Sequence, residues 1–146
     1  MPSSAMPSLL VTFVRVHDTL YQRTRGWIGH RIPGAPSNLM LHAVGAKSGQ
    51  PRTTTLSYAN DGNDYLIVAS NGGTNRNPAW YHNIKAHPNV EINVGPRRFP
   101  VTASIIGPDD PDYARLWEIV NENNSDRYRA YQEKTTRAIS VIRLKP

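Results

Sequence analysis

From Leu9 the apolar residues Leu9, Leu10, Phe13, Val16, Leu20 and Tyr21 return at helical spacing, with Arg15, Asp18, Gln22 and Arg23 between them. This predicts an amphipathic helix of about three to four turns that ends near Gly26. Residues 1–8 before it are small, polar and proline-bearing, and are expected to fray. Gly29 to Ser37 holds two prolines and two glycines and reads as a loop. Strand patterns follow at Leu39 to Val44, Thr53 to Tyr58 and Tyr65 to Ser70, with Asn60-Asp61-Gly62-Asn63 as a hairpin turn between the last two. Leu66-Ile67-Val68-Ala69 is continuously apolar, the pattern of a strand buried on both faces.

Beyond Ser70-Asn71-Gly72-Gly73, a second glycine-rich loop, Pro78 to Ala86 reads as a helix that Asn75 or Asn77 can cap. His87-Pro88 ends it. Val90 to Val94 alternates as a strand, Gly95-Pro96 turns the chain, and Phe99 to Ile106 pairs back. Pro108 to Asn121 is amphipathic, with Tyr113, Leu116, Trp117 and Val120 on one side. The polar run Asn121 to Ser125 interrupts it, a short helical turn carries Tyr128 and Tyr131, and Ala138 to Leu144 closes as a strand. Six mostly antiparallel strands with an N-terminal helix and two further helices predict a mainly β (α+β) fold. We expect a small β-barrel or curled sheet forming one domain over residues 1–146.

The stretch Gly45-Ala46-Lys47-Ser48-Gly49-Gln50-Pro51-Arg52 joins the first two strands. Its glycines permit a tight turn that exposes backbone N–H groups, and Lys47 and Arg52 add fixed positive charge, a combination suited to a phosphate or carboxylate. The same residues also read as a solvated hairpin turn. The spacing of a Walker loop is absent. The N-terminus of the Pro78 helix, beside Gly72-Gly73, offers a second place for an anion.

Composition sharpens this picture. The formal charge of +6 and a pI near 9.9 favour anionic partners. Arg97-Arg98 is the only adjacent basic pair and no aromatic and basic pattern accompanies it, so a small polyanion is expected and nucleic acid is not. Without cysteine there is no disulfide, thiolate metal site or cysteine nucleophile, in keeping with a cytoplasmic protein. The histidines His17, His30, His42, His82 and His87 form no metal spacing, and no metal is expected. Ser48 and Ser70 lack the nucleophile elbow of a hydrolase. No apolar run is long enough to span a membrane or to act as a secretory signal. Arg15, Arg23, Arg25 and Trp27 on the first helix suit at most a weak contact with the inner face of a membrane.

Three motifs now stand in order: Gly45 to Thr53, Val68-Ala69-Ser70-Asn71-Gly72-Gly73, and Asn77-Pro78-Ala79-Trp80-Tyr81-His82-Asn83-Ile84-Lys85-Ala86-His87-Pro88. Together they resemble the deazaflavin-dependent nitroreductase and quinone reductase family, actinobacterial enzymes that use reduced coenzyme F420 on a split β-barrel related to FMN-binding oxidases. The resemblance runs from about Trp27 to the C-terminus. It implies that Lys47, Ser48, Gly49, Gln50, Pro51 and Arg52 hold the phosphate and the start of the oligoglutamate tail, and that Thr53 and Thr54 run along the cofactor. Ala69, Ser70, Asn71, Gly72 and Gly73 match the loop beside the ring, and Pro78, Ala79, Trp80 and Asn83 match the helix that covers it. For Trp80, a plain core position competes with that role.

Around the acceptor the resemblance implies Trp27, Ser57, Ser125, Tyr128 and Tyr131, with Ser70 and Tyr128 as the catalytic pair. Four positions depart from the family's habit. Ala46 stands where an arginine is frequent, Asn71 where a lysine is frequent, and Ser57 and Ser125 where tyrosines are expected. The implied activity is hydride transfer from reduced F420 to a planar electrophile: a quinone, a nitroaromatic ring, or an unsaturated lactone or enone. Ser70 then hydrogen-bonds acceptor or ring, and Tyr128 donates a hydrogen bond or proton to the product oxygen. Tyr128 and Tyr131 read equally as a rim packed on the barrel. Two rival functions share these loops: an FMN-binding oxidoreductase and a non-catalytic F420 carrier.

Overall fold

A computed structural model describes residues 37–146. The predicted N-terminal helix, its membrane contact and Trp27 lie outside the described residues. Seven strands are present among these residues: β1 Asn38–Val44, β2 Pro51–Ser57, β3 Ala59–Asp61, β4 Asp64–Val68, β5 Asn89–Val94, β6 Arg97–Ile106 and β7 Val141–Lys145. Among the described residues three helices accompany them, α1 Ala79–Ala86, α2 Tyr113–Asn123 and α3 Arg127–Gln132, and a 3-10 turn spans Asn71–Gly73. The strands form one sheet in the order β2-β1-β5-β6-β7-β4-β3, antiparallel throughout.

The sequence pattern predicts one strand from Thr53 to Tyr58, paired with the strand that follows Asn63. The chain instead divides this stretch at Tyr58. β2 pairs with β1, in register from Asn38↔Ser57 to Val44↔Pro51, whereas β3 pairs with β4 across Gly62-Asn63. Tyr58 leaves the ladder: its N–H donates to Ser37 O at 3.0 Å and its ring is buried against Tyr65. β2 and β3 stand at opposite ends of the strand order, yet one residue separates them. A flat sheet of this width would hold them about 29 Å apart, while two residue steps reach about 7 Å. The sheet therefore curls until its edges meet, which makes it a barrel split at Tyr58.

Strand alternation then sorts the side chains into two cores. Leu39, Leu41, Ala43, Ile67, Ala69, Ile92, Ile142 and Leu144 point inward and are closed over by Trp80 and Ile84 of α1. Leu66, Val68, Ile106 and Val141 point outward and are covered by Leu116 and Val120 of α2 and Tyr128 of α3. The unbroken apolar run of β4 serves both: Ile67 and Ala69 go in, Leu66 and Val68 go out.

The helix predicted from Pro108 begins at Tyr113, because turns occupy residues 108–112, and it continues through Asn123 instead of stopping at the polar run. Asn121 is wholly buried. Its Nδ2 donates to Trp117 O and its Oδ1 accepts from Arg129 N, both at 2.9 Å, so one amide joins α2 to α3. The turn between them runs through Ser125 and Asp126, both at positive φ (53° and 58°).

Two expectations follow from this outer core. Asn121→Leu strands the Arg129 N–H without an acceptor and should destabilise the protein by about 1–3 kcal/mol in urea denaturation. Burial pushes the Tyr128 hydroxyl up to about 12, partly opposed by a hydrogen bond from Asn124. Below pH 10 the residue is neutral in folded and unfolded chains alike. Above it the unfolded chain ionises first, so stability falls as the pH rises towards 12, by up to about 1.4 kcal/mol per unit. In Tyr128→Phe that part of the alkaline slope, read from denaturation midpoints against pH, should vanish.

Candidate functional site

The loop between β1 and β2 is tied to itself. Gly45 N donates to Gln50 O (2.8 Å), Gly49 N to Gly45 O (3.0 Å) and Gln50 N to Ser48 Oγ (3.1 Å). Gly49 sits at φ 68°, which favours glycine, and a Cβ on Gly45 would displace the Ser48 hydroxyl that accepts from Gln50 N. A fourth donor, Ala46 N, reaches Asn83 Oδ1 on α1 at 2.9 Å. The loop therefore offers fewer backbone donors than its composition predicts. Among the described residues only the N–H groups of Lys47 and Ser48 within the turn have no protein partner. Positive charge from side chains makes up the difference.

Between this loop and α1 lies an open cleft of about 600 Å³. Lys47, Ser48, Arg52, Thr53 and Thr54 line it on the strand side, and Ala79, Trp80 and Asn83 on the helix side. Eight predicted cofactor positions thus meet in one place. Gly45, Ala46 and His82 join them, and among the described residues no aspartate or glutamate does. Neither Lys47 nor Arg52 forms an ion pair among the described residues; Arg52 Nη1 donates to Pro51 O at 3.0 Å. Alternation puts Arg52 and Thr54 on the inner face with Ala43 and Leu41, their register partners. The first turn of α1 adds the partial positive charge of its unpaired N–H groups. The arrangement is a cationic groove that favours a polyanion. Gly49, Gln50 and Pro51 lie at the exposed far bend and do not line it.

The second loop is built from behind by a residue that the sequence motifs do not single out. Arg137 Nε donates to Thr74 O (2.9 Å), Nη1 to Ala69 O (3.1 Å) and Asn77 Oδ1 (3.0 Å), and Nη2 to Ser70 O (2.9 Å). Asn77 is thereby engaged, and Asn75 Oδ1 accepts from Thr135 Oγ1 at 2.8 Å, so neither caps α1; Pro78 begins it without a side-chain cap. Asn71, at φ 45°, folds its amide back onto Thr74 Oγ1 (2.9 Å) and Arg76 O (3.0 Å). Gly73, at φ 82°, touches the backbone of Tyr131, where a Cβ would come within 2.5 Å of the carbonyl oxygen. The loop and α3 are consequently in contact.

Tyr128 is buried in the outer core, with its ring 6.4 Å from that of Tyr131 in an edge-on pair. Its raised pKa keeps the hydroxyl protonated at neutral pH and makes it a hydrogen-bond donor rather than a ready proton source. Tyr131 is half-buried, with Lys134 Nζ over its ring at 5.7 Å. Ser57 donates to Asn38 Oδ1 at 3.3 Å and lies on the sheet face opposite Arg52 and Thr54, while Ser125 is exposed at the α2–α3 turn. His42 is held between Thr53 Oγ1 (3.2 Å) and Asn93 Oδ1 (2.6 Å), and burial lowers its pKa. No cluster that could hold a metal ion occurs among the described residues. None of their helices is long and apolar enough to cross a membrane.

The comparisons with known proteins agree with this geometry. The sequence profile of the F420H(2)-dependent quinone reductase family matches residues 13–146. An F420H(2)-dependent quinone reductase of Mycobacterium tuberculosis is 64% identical over 132 residues, which cover 90% of this chain and 89% of that protein. Among solved structures, an F420-H2 dependent reductase is 32% identical with a TM-score of 0.66, covering 74% of this chain and 93% of its own. A second solved structure, described as a domain-swapped dimer, is 29% identical with a TM-score of 0.69 and covers 92% of this chain and 98% of its own. With a split barrel, a family match over nearly the whole length and a relative at 64% identity, the chain belongs to the F420H(2)-dependent quinone reductase family.

Proposed function

We propose that this chain transfers a hydride from reduced F420 to a quinone, with the acidic tail of the cofactor lying in the cleft beside Lys47 and Arg52. The observation that carries the reading is the cleft's charge: two cations, two N–H groups and a helix start stand together with no carboxylate among the described lining residues. That donor set fits a phosphate followed by glutamate carboxylates. The volume also falls within the range of cofactor sites, about 300–1,000 Å³.

When bound, reduced F420 supplies the hydride. The chain's own part is to bind, orient and stabilise. Lys47 and Arg52 hold the tail, and Thr54, on the inner face beside Arg52, runs along the linker. Trp80 is 7% exposed, so it forms a wall of the cleft from its core position rather than a stacking lid. Ser70 and the loop around it hydrogen-bond the oxygen that gains charge. Tyr128, neutral at all physiological pH values, supports that oxygen only by donating its hydroxyl hydrogen. Nitroaromatic rings and conjugated lactones share the planar, electrophilic character of a quinone and extend the proposal to further acceptors.

Two measurements test the reading. Lys47→Ala with Arg52→Ala should weaken F420 binding, followed by quenching of tryptophan fluorescence, by about tenfold or more, the size of one lost charge-assisted contact. The affinity of the unaltered protein should fall as ionic strength rises, and the double variant should show a shallower dependence. Unaltered affinity in the double variant would refute the tail site. Purified protein with reduced F420 should turn over menadione; binding without turnover of menadione, a nitroimidazole or a coumarin would make it a carrier. Tight binding of FMN with no response to F420 would refute the reading altogether.

A further inference from the structure

Arg137 is half-buried, carries a full charge, and gives its hydrogen bonds to four neutral acceptors. No aspartate or glutamate among the described residues pairs with it. Its acceptors include the carbonyls of Ala69, Ser70 and Thr74. The described chain contains no cis peptide bond. In a trans peptide the N–H points opposite to the C=O of the same plane. Drawing these carbonyls to one side therefore turns the N–H groups of Ser70, Asn71 and Asn75 to the other. None of the three has a protein acceptor among the described residues, whereas the next donors along the turn, Gly73 N and Thr74 N, bond within it to Ser70 O and Asn71 O.

We propose that Arg137 is a positioning residue for the reaction. By gathering carbonyls behind the second loop it aims the Ser70 and Asn71 N–H groups, with its own unneutralised charge at their back, at the negative charge a reacting oxygen acquires. The inference rests on the reductase reading above, in which this loop lies beside the ring. Preorganised donors facing developing charge act on the rate of the chemical step more than on ground-state binding. The tail cleft, built from β1, β2 and α1, should retain the cofactor without Arg137.

The test compares Arg137→Gln, which removes the charge, with Arg137→Lys, which keeps it but loses the planar fork. Each variant is assayed for F420 affinity by tryptophan quenching, for kcat with menadione, and for melting temperature. Arg137→Gln should lower kcat by about tenfold or more while F420 affinity stays within about threefold, and Arg137→Lys should recover part of the rate. A kcat within about twofold of the parent in both variants overturns the proposal. So does a parallel loss of kcat, affinity and melting temperature, or failure of both variants to fold, since either makes Arg137 a structural residue only. Parent protein that neither quenches with F420 nor reduces menadione refutes the reductase reading itself, and the proposal with it.

Discussion

A chain advances only about 3.5 Å per residue, and that limit governs the whole molecule at Tyr58. The strands on either side of this residue belong to opposite margins of the sheet. No flat arrangement satisfies both, so curvature follows from connectivity and not from the preference of any one strand. Curvature in turn creates an inside and an outside. The inside is closed by Trp80 and Ile84 of α1, and the outside is clad by α2 and α3. The two glycine-rich loops flank α1, one held to it by Asn83 and the other leading into it at Pro78.

In the proposed function the two loops meet the same electrostatic problem in different ways. Between β1 and β2, backbone donors are largely used to shape the turn, and positive potential comes from the exposed side chains of Lys47 and Arg52. After β4, the polar backbone carries the potential and the cation sits behind it, in Arg137. Side-chain charges at the surface suit a flexible, multiply charged tail that varies in length. A rigid array of backbone dipoles suits a single atom whose charge changes during turnover. The division fits the chemistry of the family, in which an acidic handle and a reactive ring belong to the same cofactor.

Much of this was legible from local pattern. The start of the first loop at Gly45, the doubly buried β4 and the hairpin order of β5 and β6 all follow from residues within a few positions of one another, whereas β2 begins at Pro51, two residues before the expected Thr53, because Pro51 and Arg52 pair with Val44 and Ala43. What local pattern conceals is of two kinds. The break at Tyr58 has neither glycine nor proline to announce it, because its cause lies in the pairing of distant strands. Asn83 meets Ala46 across 37 residues, and Arg137 meets its loop across 60 to 68, separations at which no spacing rule operates. Asn121 misleads for another reason. An asparagine reads as a helix breaker until its amide is seen to satisfy two backbone groups in a buried joint.

The position of β7 in the sheet has its own consequence for biosynthesis. Val141–Lys145 is inserted between β6 and β4, so the two halves of the sheet have no direct ladder until that segment is made. During translation the earlier strands emerge with two unpaired edges, both rich in β-branched and aliphatic residues, and wait for the last one. Until β7 is in place those exposed edges can pair with other chains. Docking of β7, rather than the making of any early hairpin, is the event that lets the barrel close.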